Sequence, residues 1–152
     1  MNIAWGKPKI WAAKLTDGTA GEWKELPTPA EGTTTLTPTK GDKKEAKIEG
    51  GENEAVKYNR NTYVLEFSIR LGSEREKPFE DEDGVIAGEY AIMLQPEDPS
   101  VEGLKIDKCV ISLEDSYSAE DGIMLKYSAD VLKPATGNQV KYEVITDPTD
   151  NG

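Results

Sequence analysis

Carboxylates are the most abundant chemistry-bearing side chains in this sequence, with 29 Asp and Glu against 18 Lys and Arg and a formal net charge of −11. Two carboxylates flanking a bond are the machinery of glycoside hydrolysis, and residue type does not exclude it here. Most of these acids, however, sit in turns or charged runs, where a solvated face is the ordinary explanation. Asp81-Glu82-Asp83-Gly84 has part of a calcium-loop pattern, but the apolar Val85 and Ile86 follow where further oxygen ligands are needed. It reads as an acidic turn. The chain has no histidine, which removes the commonest general base and the commonest metal ligand. Ser-His-Asp, Cys-His and ordinary zinc sites go with it. The single cysteine, Cys109, rules out an internal disulfide, and its apolar neighbours Val110 and Ile111 make it a small buried hydrophobe rather than a reactive thiol. Trp5, Trp11 and Trp23 could stack on a sugar, but they cluster in the first strands, where core or interface packing is the plainer reading. Gly50-Gly51 lacks the strand–loop–helix context of a phosphate loop. No catalytic, cofactor-binding or metal-ligating residue is assigned, and the expectation is a protein that is not an enzyme and needs no cofactor.

The elements that carry these residues read as strands. From Asn61 to Gly72, Tyr63, Leu65, Phe67, Ile69 and Leu71 share one parity, and Thr62, Val64, Glu66, Ser68 and Arg70 the other. Alternation of this kind gives a strand with one apolar and one mostly polar face. It is the clearest element in the chain and is taken as the spine of the domain. A first strand over Lys9–Leu15 and a short second one over Glu22–Leu26 make a hairpin, with Asp17-Gly18 supplying positive φ at the turn. Thr33–Thr39 has the β-branched composition of another strand. Tyr90, Ile92 and Leu94 mark the next. Leu104 and Ile106 are even while Cys109, Ile111 and Leu113 are odd, so a β-bulge is expected at Asp107-Lys108. Ile123 to Val131 alternates cleanly, and Val140, Tyr142 and Val144 with Ile145 form a last strand. Ser73 with Glu76 is a capping-box pattern for a short helix before Asp83, although Pro78 sits awkwardly in it. The sum is a mainly β, antiparallel sandwich or barrel with one short flanking helix.

A length of 152 residues fits one domain, expected over 1–146 with a disordered tail at 147–152. The stretch at about 38–61 stands apart. It is highly charged and nearly devoid of large apolar residues, so a lone chain gains little by ordering it. Two readings stay open: a solvated hairpin or loop, or an arm that reaches a neighbouring subunit through Lys43, Lys44, Glu45, Lys47, Glu49, Glu52 and Glu54. The acidic balance argues against a phosphate-binding surface as the main function. No secretory leader pattern and no apolar run of about 20 residues is present, which suggests a cytoplasmic protein with no membrane partner.

Several stretches together resemble the tail tube proteins of long-tailed bacteriophages. They are Leu26-Pro-Thr-Pro-Ala-Glu-Gly-Thr-Thr-Thr-Leu-Thr-Pro-Thr-Lys-Gly-Asp-Lys-Lys-Glu-Ala, Ile48-Glu-Gly-Gly-Glu, the spine, and Leu104-Lys-Ile-Asp-Lys-Cys through Asp115-Ser-Tyr and Asp121-Gly to Leu132-Lys-Pro. The resemblance is one of overall order across most of Ile3 to Ile145. It implies a β-sandwich or barrel with a flanking helix, related to the tube of type VI secretion, assembling into stacked, six-fold rings around a channel for DNA. It implies self-association, contacts with other phage tail proteins, DNA that passes without specific binding, assembly in the cytoplasm and residence in the virion tail. Glu66, Ser68 and Arg70 would then face the lumen, where like charge keeps DNA from adhering. A monomeric sandwich with one wet face gives the same alternation. The alternative reading is a ligand- or carbohydrate-binding β-sandwich module without catalytic activity.

Overall fold

Leu65, Phe67 and Ile69 do what their alternation requires: all three are at most 1% exposed, on one face of a strand. The computed structural model describes residues 6–30, 32–47, 50–51, 53–72, 78–134 and 137–148, and of 44–47 and 53–58 the backbone. In chain order the strands are β1 (Lys9–Thr16), β2 (Thr19–Ala20), β3 (Lys24–Glu25), β4 (Thr35–Thr39), β5 (Lys43–Lys47), β6 (Asn53–Tyr58), β7 (Thr62–Arg70), β8 (Tyr90–Gln95), β9 (Glu102–Ser118), β10 (Gly122–Val131) and β11 (Val140–Val144). Nine of them form one antiparallel sheet in the order β2-β1-β8-β9-β10-β7-β4, with β3 on β1 and β11 on β9; β5 and β6 form a separate pair. No helix occurs among the described residues, and none there is long and apolar enough to cross a membrane.

The inner residues of β1, β7, β8, β9, β10 and β11 meet in a single cluster, which is the core of the sheet. Phe67 lies directly opposite Tyr127 across β7 and β10, their ring centroids 5.6 Å apart. Phe79 meets Tyr127 at 5.4 Å and Tyr90 at 5.0 Å, both edge-on. Edge-to-face pairs add about 0.5–1.5 kcal/mol beyond the area they bury. Through Phe79 the loop after Pro78 is anchored to the core, although it belongs to no strand of the sheet. A second tie holds the same loop: Leu113 N donates to Gly84 O at 3.0 Å, along the edge of β9 that faces away from β10. Gly84 is at φ 89°, a conformation that side chains resist.

Two sequence expectations need correction. The spine assigned to 61–72 is β7, second from the edge of the sheet; the organising strand is β9, 17 residues long. Its length is hidden in the sequence because its apolar parity switches halfway. The switch is the expected bulge. Tyr90 pairs with Cys109 but Ile92 with Ile106, so Ala91 faces both Asp107 and Lys108. Ile106 and Cys109 consequently both point into the core at 0% exposure. The second strand expected over Glu22–Leu26 is present as the shorter β3 and pairs with β1, and β2 lies along β1 as well. The turn between β1 and β2 has Asp17 at φ 51° and Gly18 at φ 79°, as its residue types require. The capping-box residues Ser73 and Glu76 lie outside the described residues. Pro78–Asp83 is not helical; Glu82 instead bridges Val85, and Asp83 takes φ 49°. Of the expected tail, Asp147 and Pro148 are described and the rest lies outside.

β1 is buried on both faces. Ile10 and Ala12 join the core cluster, while Trp11 and Ala13 on the opposite face are each 1% exposed and lie outside it. Trp11 Nε1 and the Tyr127 hydroxyl are buried without a hydrogen-bond partner among the described residues. A buried hydroxyl with no partner carries its desolvation cost uncompensated. Replacing Tyr127 with Phe keeps the ring stack and removes that cost. The variant should be as stable as the parent or more stable by up to about 1 kcal/mol, read as a higher urea midpoint with an unchanged slope.

Candidate functional site

The residues with a claim to function fall on three surfaces. The first is the outer face of the sheet. Glu66, Ser68 and Arg70 project from β7 away from the core, Glu66 and Ser68 half-buried and Arg70 exposed. Their cross-strand neighbours on β10 are Ser128, Lys126 and Met124, and beyond these on β9 lie Ser112, Glu114 and Ser116. Thr35, opposite Glu66 on β4, continues the row to the edge. The face is rich in hydroxyls, with its charges interleaved. Glu66 meets Lys126 at 3.6 Å, and Arg70 meets Asp121 at 3.6 Å while its Nε donates to Asp121 O at 3.1 Å. Such a face has neither a large apolar patch nor a basic track.

The second surface is the hairpin of β5 and β6. Lys43 pairs with Tyr58 at its base and Lys47 with Asn53 near its tip, with an irregularity between Ala46 and Lys47. Asn59 N donates to Asp42 O at 2.8 Å and Gly41 N to Asn61 Oδ1 at 3.1 Å, which closes the base. Of the residues proposed for the arm, Lys43, Lys44, Glu45 and Lys47 fall on β5 and Glu54 on β6. Glu49 and Glu52 lie outside the described residues. The hairpin's strands pair with each other and are not part of the large sheet.

The third surface is a set of open grooves. One, of about 920 Å³, runs between β1 and the Pro78–Ala87 loop, with Lys14 and Lys24, Glu80 and Glu82, and Phe79 and Tyr90 among its lining residues. Asp81, also in this groove, is engaged in a turn: Gly84 N donates to its Oδ2 at 3.1 Å, as the acidic-turn reading of 81–84 requires. Burial, and then the charge of Glu80, raise the Tyr90 hydroxyl pKa. Among the described residues no three His, Cys, Asp or Glu gather closely enough to hold a metal ion. Trp11 is buried and Trp23 half-buried, and Trp5 lies outside the described residues, so the indoles do not present a common exposed platform among the described residues.

Cys109 is where the sequence placed it, in the core, its Sγ donating to Tyr90 O at 3.3 Å. Burial, reinforced by the charges of Asp130 and Glu89, pushes its thiol up to about 12. Tyr127 is pushed up in the same way, by burial first and then by Asp81 and Asp115.

Sequence reasoning missed the ends of the sheet. Tyr117 is 75% exposed and Ile123, paired opposite it, is 42% exposed; at the other end Tyr142 is 60% and Val144 52% exposed. All four continue apolar alternations past the point where the core stops. Only the turn residues around Asp121-Gly122 hinted where that point lies.

No known protein-family model matches the chain, and a search of curated proteins finds no match to it.

Two measurements follow from this geometry. Glu66→Gln, Ser68→Ala and Arg70→Gln combined break only exposed or half-exposed pairs, so the fold should lose less than about 1 kcal/mol, and less still in 1 M salt. Urea unfolding at low and high salt reads this directly. For Cys109, the ordinary thiol value is 9.0 and the folded one about 12. The folded state therefore keeps a proton that the unfolded chain gives up, and stability present below pH 9 is lost as pH rises through the folded value. Wild-type protein should lose more stability between about pH 9 and about pH 11 than Cys109→Ala does, measured as the difference in slope of unfolding free energy against pH.

Proposed function

We propose that this chain is a structural subunit that assembles with copies of itself, as a tail tube protein does, into stacked rings around a channel. The nine-stranded sheet then corresponds to the sandwich or barrel body of such a subunit, and its hydroxyl-rich outer face, with Glu66, Ser68 and Arg70, to the channel lining. DNA passes that lining without binding, held off by a net charge of −11. The subunit has no catalytic role and needs no cofactor. It is made in the cytoplasm and ends in the virion tail beside other tail proteins.

One observation carries the reading: among the described residues the strands of the β5–β6 hairpin pair only with each other, and the hairpin is closed at its base. A two-stranded hairpin is marginally stable by itself in water. Its apolar-poor sequence provides little burial to offset the entropy of ordering. A neighbouring copy supplies the contacts that make such an arm worth keeping. The resemblance in overall order agrees with a building block.

The test is excision of the arm. Lys43 and Tyr58 face each other at its base, so joining them through an Asn-Gly turn replaces the hairpin without straining the body. The shortened chain should unfold within about 1 kcal/mol of the parent but form no rings in electron micrographs at concentrations where the parent forms them. A parent that stays strictly monomeric at millimolar concentration, or a shortened chain that forms rings as readily as the parent, would overturn the proposal.

A further inference from the structure

The two exposed apolar ends noted above differ in charge and shape. At one end the β9–β10 hairpin projects beyond the core as a tip. Asp115 and Tyr117 lie on its inner face with Ile123 opposite Tyr117, and Glu120 sits in the turn, all four exposed. Asp115 and Glu120 have no cation within ion-pair reach among the described residues. At the other end is a groove of about 810 Å³, bounded by the Asn59–Asn61 corner, Tyr63, and the Asn138–Tyr142 stretch that runs into β11. Its walls are amides and tyrosines. Its cations are Lys141, which is paired with Asp107, and the exposed Arg60, which has no carboxylate within reach among the described residues.

Tip and groove are set apart by β9 itself. Tyr142 is paired with Leu104, and Tyr117 lies thirteen residues further along the same strand, about 40 Å at the rise of a β-strand. Tyr117 and Tyr142 have the parity of the core-facing residues of their strands, so they lie on the same side of the sheet. A copy translated along β9 therefore brings its tip to the groove of the copy ahead.

We infer that the acidic β9–β10 tip of one copy docks in the Arg60–Tyr142 groove of the next, making a head-to-tail contact. Tyr117 is the anchor. Large aromatic side chains contribute disproportionately to interfaces, and Asp115 or Glu120 supplies the partner for Arg60. The occupant is a second copy of this chain because the groove's Arg60 guanidinium, which has no carboxylate in reach among the described residues, complements the tip's carboxylates, which have no cation in reach there. The two surfaces differ, so the contact is heterologous and propagates as an open stack unless a rotation closes it. The inference rests on the self-assembly reading and specifies one of its interfaces.

The experiment uses full-length chains with Tyr117→Asp or Arg60→Glu. Both positions are exposed, and circular dichroism confirms that each variant is folded. Light scattering and sedimentation should show each variant associating along the stack at least tenfold more weakly than the parent. Separately formed rings of the two variants, once mixed, should pair two rings deep and stop there, because the Tyr117→Asp chain keeps a sound groove and the Arg60→Glu chain a sound tip. Adding Asp115→Lys and Glu120→Lys to Arg60→Glu should restore stacking, and raised salt should weaken the parent's contact. If the parent assembles and both single variants stack undiminished, this contact is wrong while the self-assembly reading stands. If the mixture forms longer stacks or no paired rings, the head-to-tail geometry is wrong. If the parent never associates, both fall together.

Discussion

The structure depends on one irregularity: the extra residue in β9 at Asp107-Lys108. β9 borders β8 on one edge. On the other edge it borders β10 along its C-terminal half and β11 along its N-terminal half. A strand of regular pleat has one apolar parity along its length. The bulge resets that parity, so Ile106 and Cys109 both reach the core. The same place is where β10 ends and β11 begins, with Leu132 N donating to Lys108 O at 2.9 Å across the change of partner. Bulges also sharpen the local twist. The two bulged residues stay out of the core, in ion pairs with Lys141 and Glu89.

Around that point the energetics divide by face. The inner face is apolar and tightly shared, with Leu65, Phe67, Ile69, Leu125, Tyr127 and Ala129 at most 1% exposed. Each large side chain so buried contributes about 1.5–3 kcal/mol. The outer face contributes little to stability, because exposed ion pairs such as Arg70 with Asp121 are worth at most about 1 kcal/mol. Its residue types are therefore free to answer to something other than folding. The same holds for the tyrosines at the two ends of β9. Surface that the fold does not use for its own stability is surface available for contact.

How far the strands were legible depended on how they are packed. β7 and β10 have a covered face and a wetter one, so their period of two shows directly in the residues. The bulge was legible too, as an even-to-odd slip between Ile106 and Cys109, yet the rank of β9 was not: two runs of opposite parity look like two elements until pairing joins them. β1 has apolar residues in succession because both of its faces are covered, and a run of that kind has no period to read. The acidic segment after Ser73 offered a helix by its capping pattern; Pro78–Asp83 instead holds a bridged turn, tied to the core through Phe79 and to β9 through Gly84.

By itself the sequence determined the β class, the core-facing parity of the main strands, the turn at Asp17-Gly18 and the bulge, since each follows from steric rules local to a few residues. It also determined that no histidine chemistry and no internal disulfide are available. Tertiary structure alone decided which strand lies at the centre, which edges remain open, and that Tyr117 and Tyr142 end up exposed at opposite ends while Trp11 is enclosed. Those outcomes turn on which distant segments meet, and an alternating pattern specifies the face a residue takes without specifying what, if anything, comes to cover it.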